Sequence, residues 1–430
     1  MRIIDSKDKS FPEVLASITK RGEQDTSAVE AAVKKILDDV RAKGDKAVLE
    51  YTKKFDGVDL KGRLQVAEAE INASLKKISK KDLALIELAA QRIESFHKKQ
   101  LQNSWFTTEP DGTILGAKVT ALERAGIYVP GGKAAYPSTV LMNAIPAKVA
   151  GVDEVIMVTP PGKEGINPYV LASAKVARVD KIFRIGGAQS VGALAYGTKS
   201  VPKVDKITGP GNIYVATAKR LVFGIVDIDM IAGPSEILVI NDGTGEPSWI
   251  ATDLLSQAEH DELASGILIT TSDGMAKAVK AEVESILKKL KRKHIAEVSI
   301  ERYGAIIITK DLNEAAQISN RIAPEHLELF VEAPFELMPK IRNAGAIFLG
   351  RFTPEATGDY LAGPNHTLPT GGTARFSSPL GVLDFVKRTS IISFSEKAID
   401  TLGSSIKRFA DLEGLEAHGK SVEARLKRKK

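Results

Sequence analysis

EVIMVTP (154–160), KIFRIGG (181–187), VDKITG (204–209) and EILVIND (236–242) decide the fold, because each is a short apolar run that reads as a buried strand. Between them VLASAKVARV (170–179), SVGALAYG (190–197) and NIYVATAKRLVFG (212–224) read as helices. Strands that are apolar throughout are covered on both faces, so this βαβα order implies parallel sheets layered with helices. Toward the C-terminus the alternation continues: a helix at 246–259, the strand GILITTS (266–272), a helix at 274–291, GAIIIT (304–309), the helix LNEAAQISNRI (312–322) and the strand AIFLG (346–350). That is enough for two α/β units. Glycine–proline clusters mark their boundaries, IYVPGGKAAYP opening the first near residue 128 and IAGPSE crossing back at 231–236.

Toward the N-terminus, residues 1 to about 100 read as helical. DTSAVEAAVKKILDDVRAKGDKAVLEYTKKFD (25–56) has apolar residues at helical spacing and an N-cap at Asp25 or Thr26. LALIELAAQRIESFHKKQ (83–100) is a second amphipathic helix, with His97 read as a surface residue beside two lysines. Beyond GPNHTLPTGGTARFSSPLG (363–381) the pattern is helical again to the end.

The 430 residues exceed one ordinary core and suggest two or three domains, and 43% hydrophobic with 27% charged residues is a folding composition. No apolar run approaches the roughly 20 residues of a membrane span, and MRIIDSKDKSF carries charges where a signal peptide is apolar, so a cytoplasmic protein is expected, with no membrane partner. The net charge is +6, from 60 Lys and Arg against 54 Asp and Glu, and much of the excess sits in RLKRKK (425–430). That tail reads as a solvated terminus; a nucleic-acid arm is the other reading, but no aromatic or base-reading motif accompanies it. Cysteine is absent, which excludes disulfides, thiolate metal sites and thiol nucleophiles. Any metal must be held by oxygen or imidazole nitrogen. Six histidines are available: His97, His260, His294, His326, His366 and His418.

Four stretches could carry chemistry. In SQAEHDE, Gln257 and His260 stand three apart on a predicted helix, which places them on one face about 5–6 Å apart at Cβ. They bind one cation together or are simply solvated. In RIAPEHLELF, Glu325 and His326 stand where a helix gives way to an apolar strand; they share acid–base work, or serve as a cap and a packed ring. TPEATGDYLAGPNHTLPTGGTAR is too rich in glycine and proline to be regular, yet carries Asp359 and His366. LEGLEAHGK places Glu413 and His418 in a charged helix, an unremarkable pair by itself. The G-x-G-x-x-G fingerprint is absent. RIGGAQSVGALAYG and KITGPGNIYVATAKR each pass from strand through a glycine turn to a helix, where backbone amides suit a pyrophosphate, though tight turns of other α/β proteins look similar.

Taken in order, SQAEHD, RIAPEHLEL, GDYLAGPNHTLPT and EGLEAH, with GIYVPGG, RIGGAQSVGALAYGT, ITGPGN and IAGPSE, make the whole chain resemble the histidinol dehydrogenase family. No motif position departs from it. The resemblance implies an α/β fold of two incomplete Rossmann-like domains with parallel sheets, plus helical N-terminal and C-terminal extensions. Its boundaries would be an arm at 1–22, an α/β domain at 23–127 and 235–380 with most zinc and catalytic residues, an NAD-binding domain at 128–234, and a tail at 381–430 reaching a partner subunit. It implies one Zn2+ per subunit on Gln257, His260, Asp359 and His418, and NAD on Tyr128, Gln189 and Asn212. Ser235, His366 and Glu413 would contact substrate beside the zinc ligands, Glu325 and His326. The reaction implied is the four-electron oxidation of L-histidinol to L-histidine through L-histidinal, the last step of histidine biosynthesis, in a homodimer with shared active sites. Zinc would grip the substrate's amino and imidazole nitrogens. His326 would take the hydroxyl proton and Glu325, with His326, would activate water. With no thiol in the chain, the aldehyde must be oxidised as its hydrate.

Three rival readings remain. A same-fold dehydrogenase of another alcohol, such as a sulfonated diol, is disfavoured by the presence of both His366 and Glu413. A zinc hydrolase with Glu325 as base lacks H-E-x-x-H spacing and leaves the glycine turns without purpose. A nucleic-acid-binding protein rests on RLKRKK alone.

Overall fold

The structure is a computed structural model that describes residues 1–19, 27–131 and 135–427. The N-cap expected at Asp25 or Thr26 lies outside the described residues. The chain divides into two units: residues 1–100 with 123–385, and residues 101–122 with 386–430.

The first unit holds two parallel sheets, as the uniformly apolar strands require. One has five strands in the order Lys181–Phe183, Glu154–Val158, Arg124–Tyr128, Lys206–Thr208, Asp227–Ile228. Chain order runs outward from Arg124–Tyr128 in one direction and then resumes on its other side. The order therefore reverses between Arg124–Tyr128 and Lys206–Thr208, the kind of switch point where open α/β sheets bind ligands. The other sheet has six strands in the order Arg2–Asp5, Ala305–Ile308, Ser265–Thr270, Glu236–Asn241, His326–Phe330, Ala346–Leu349. It reverses between Glu236–Asn241 and His326–Phe330.

Several expectations are corrected. The first residues are not a helical arm: Arg2–Asp5 extends the six-stranded sheet beside Ala305–Ile308, and Phe11, Leu15 and Ile18 enter its core. The helices Ser27–Lys43 and Asp45–Asp56 do not share a core with residues 235–380. Val33, Leu37, Val40 and Val48 pack with Ile156, Phe183, Val191 and Val222 of the five-stranded layer. His97 is fully buried rather than on the surface, its Nδ1–H donating to the Ile93 carbonyl at 2.8 Å, and burial lowers its pKa. The helix expected at 274–291 ends at Leu287, and a second one follows at Lys293–Tyr303.

In the second unit, Val386–Ser393, Ile114–Ala121 and Trp105–Thr108 form an antiparallel sheet, so residues 381–430 are not helical throughout. The helices Glu396–Leu412 and Glu416–Leu426 pack together, and Phe394, Leu402, Ile406, Phe409 and Leu415 line an apolar groove beside Glu413 and His418. Among the described residues no helix is long and apolar enough to cross a membrane.

Candidate active site

The six-stranded sheet gathers its chemistry at the amino ends of its strands, opposite to the carboxyl-end rule and at the same kind of switch point. His326 and Glu236 are the first residues of adjacent strands, and Ser235 precedes Glu236, its carbonyl accepting from the Ser265 N–H at 3.0 Å. The helix Leu312–Ile322 ends at Ala323, a non-glycine residue in the left-handed region at φ 54, before Pro324, Glu325 and His326. Such a conformation costs of order 1 kcal/mol and is kept where it aims the residues next in the chain.

His326 is almost fully buried, and its Nδ1 lies 2.9 Å from the Glu236 carbonyl. A carbonyl only accepts, so Nδ1 carries the proton and Nε2 the lone pair. Burial holds the ring's pKa down, at about 4, so it stays neutral at physiological pH. Nε2 has no hydrogen-bond partner among the described residues. Glu325 lies on the other edge of the ring: its Oε2 accepts from the Glu236 N–H at 2.9 Å and is 3.7 Å from Nδ1. Burial pushes the Glu325 carboxyl well above the usual range, and Glu236, Asp359 and Glu355 add to the rise.

Asp359 lies on the short helix Ala356–Tyr360, inside the segment expected to be irregular. One ligand atom each from His326, Glu355 and Asp359 lie within 4.8 Å of one another. Burial lowers the pKa of His366, which also feels Asp359 and His260, and His326 feels all three. Gln257 is buried on the helix Pro247–Ala258. His260 is not on that helix, as its three-residue spacing suggested: it stands in the exposed turn beyond, its N–H donating to the Gln257 carbonyl at 3.0 Å. Glu413 ends the helix Glu396–Leu412 and His418 stands on the next helix, both in the second unit.

Sequence reading missed two buried carboxyls, Glu355 and Glu328, and a half-buried one, Asp253. Glu355 Oε1 is 3.8 Å from His326 Nε2, and burial, then Asp359, pushes its pKa up to about 9. Glu328 is pushed well up by burial, and Asp253 beside it up to about 6. Signals existed: Glu328 shares a strand face with His326, Asp253 stands four before Gln257, and Glu355 four before Asp359.

The five-stranded sheet places its turns at the carboxyl ends. Tyr128 ends its strand buried, its hydroxyl accepting from the Gly187 N–H at 3.3 Å, and burial pushes its pKa up to about 12. Gln189 is buried with Oε1 unpartnered among the described residues. Asn212 caps the helix Ile213–Val222, its side chain accepting from the N–H groups of Tyr214 and Val215. Gly209 (φ +111) passes so close that a Cβ there would lie 2.1 Å from the Tyr128 carbonyl oxygen.

Both cofactors fit these residues. Imidazole, carboxylate and amide groups without thiolate suit a working zinc site, and a ligand atom of Asp359 lies within 4.8 Å of one each of His326 and Glu355. The glycine turn at the switch point, ahead of the helix Ile213–Val222, and the orphaned Gln189 oxygen suit a dinucleotide.

The family model described as Histidinol dehydrogenase matches residues 19–426. The histidinol dehydrogenase of Geobacter metallireducens is 62% identical over 430 residues, 99% of this chain and 98% of that protein. That of Syntrophotalea carbinolica is 61% identical over 428 residues, 99% of each chain. The crystal structure of histidinol dehydrogenase from Elizabethkingia anophelis superposes with a TM-score of 0.94 at 38% identity, over 99% of this chain and 98% of that one. The chain belongs to the histidinol dehydrogenase family, the oxidoreductases that act in histidine biosynthesis.

Proposed function

We propose that the oxidation of L-histidinol to L-histidine by this chain uses two NAD in succession and one zinc ion per subunit. Zinc on Gln257, His260, Asp359 and His418 would supply the positive charge that orients substrate, and NAD beside Tyr128, Gln189 and Asn212 would accept the hydride.

The observation that carries the reading is the His326 ring, with Nδ1 engaged by the Glu236 carbonyl and Nε2 buried and unpartnered among the described residues. A neutral imidazole held this way takes the substrate's hydroxyl proton at Nε2 as the carbon loses hydride. The chain has no thiol to trap the aldehyde, so water adds to it and the resulting diol gives up the second hydride. Burial pushes the Glu325 carboxyl well above its usual range, which suits a proton-handling partner of His326 in that hydration. Ser235, His366 and Glu413 would bind substrate. The apolar groove of the second unit, with Phe409 66% and Leu415 41% exposed, supports a homodimer whose partner receives Glu413 and His418.

The test is a pair of partial reactions. Glu325→Gln should slow acid formation from the aldehyde more than reduction of the aldehyde to the alcohol, and equal loss of both contradicts the division of labour. Chelation should abolish turnover and zinc restore it; full activity without metal removes the zinc role.

A further inference from the structure

Glu355 is 3% exposed and held from two sides. Its N–H donates to Glu328 Oε1 at 2.8 Å, and its Oε2 lies 3.4 Å from the Ser256 hydroxyl oxygen, whose own proton goes to the Asp253 carbonyl at 2.7 Å. Its other oxygen, Oε1, has no hydrogen-bond partner among the described residues, and neither has His326 Nε2, which lies 3.8 Å away. With the carboxyl proton of Glu355 on Oε2, Oε1 and Nε2 are two buried acceptors that face one another across a gap too long for a direct bond, and leaving both unmet is costly. A small molecule with two donors fits between them. An oxygen about 2.8 Å from each atom would subtend roughly 85–90°, close enough to the angle of a water molecule for both of its hydrogens to be used.

We propose that Glu355 is a further catalytic residue of the hydration step, holding with His326 Nε2 the water that adds to the aldehyde. The inference rests on the two-step reading of the reaction and deepens it. Glu325 stands at the Nδ1 edge of the ring, whereas Glu355 stands at the edge that carries the lone pair. In the step, the water oxygen forms a bond to the carbonyl carbon and one of its protons passes to Nε2. The carbonyl π bond breaks toward oxygen, and that oxygen takes the proton back from the imidazolium. The second hydrogen stays on the new hydroxyl, bound to Glu355 Oε1. The product is the neutral diol, with His326 neutral again.

The experiment compares Glu355→Gln, which keeps the shape, and Glu355→Met, which removes both acceptors, with the unaltered enzyme. Each is assayed for acid formation from the aldehyde with NAD and for reduction of the aldehyde with NADH, a half-reaction that consumes no water. Acid formation should fall by about a hundredfold in Glu355→Met and less in Glu355→Gln, in line with the loss of one proton-handling group. Reduction should fall much less, with zinc content and thermal midpoint kept. Equal loss in both directions, or no loss in either, overturns the proposal. Loss of zinc would instead place Glu355 among the metal ligands and overturn it as well. If the unaltered enzyme forms only one NADH per histidinol, it is the two-step reading that fails.

Discussion

At the scale of single residues, the site depends on burial that water would otherwise resist. His326 refuses a proton until about pH 4, whereas an unfolded histidine binds one near pH 6.5, so its contribution to stability is lost as pH falls between those values. The buried and half-buried carboxyls run the other way. Their folded pKa values are raised, so the stability they permit is present at acidic pH and lost as pH rises, through about 6 for Asp253 and about 9 for Glu355. Glu328→Gln keeps an acceptor for the Glu355 N–H while removing a costly charge. It should raise the thermal midpoint of metal-free protein more at about pH 9 than at about pH 5, and a uniform change would show that charge is not the cause. Glu325 and His326 were legible in RIAPEHLELF because a charged pair beside an apolar strand is conspicuous. Glu355 was not, because only the folded chain brings it across to the ring.

At the scale of elements, the glycine turn after Lys206–Thr208 is clamped. Lys219 and Asp229, 2% and 1% exposed, pair with each other. Lys219 Nζ donates to the Gly209 carbonyl at 2.9 Å, and Asp229 Oδ2 accepts from the Gly209 N–H at 2.7 Å. Removing one partner leaves a buried charge, so Lys219→Met should cost roughly 3–5 kcal/mol in denaturant unfolding, whereas Lys219→Met with Asp229→Leu should recover part of it. Additive losses would show no coupling. Gly209→Ala should weaken NADH binding, because the Cβ would meet the Tyr128 carbonyl. An unchanged dissociation constant would move the dinucleotide elsewhere. The strands and helices around this turn were readable from apolar runs and spacing. Two elements were not. Val386–Ser393 is mostly exposed and offers no apolar run, and Arg2–Asp5 is four residues long and finds its order from Ala305–Ile308.

At the scale of the whole molecule, two parallel sheets use opposite ends: carboxyl ends for the turns suited to a dinucleotide, amino ends for His326 and Glu236. The alternation of 154–242 made the sheets legible, but not which helices each would gather, since amphipathic spacing says that a helix is covered and not by what. The second unit carries Glu413 and His418 beside an exposed apolar groove. If Glu413 and His418 complete a partner's site as proposed, truncation before Glu413 should lower zinc content and leave a monomer, as read by metal analysis and sedimentation; unchanged values would refute the placement of His418. The central claim is that one site carries out both oxidations. Its most direct test is the count of NADH formed per L-histidinol consumed by the purified enzyme: the account predicts two, with histidine as the product, and one, with histidinal released, would contradict it.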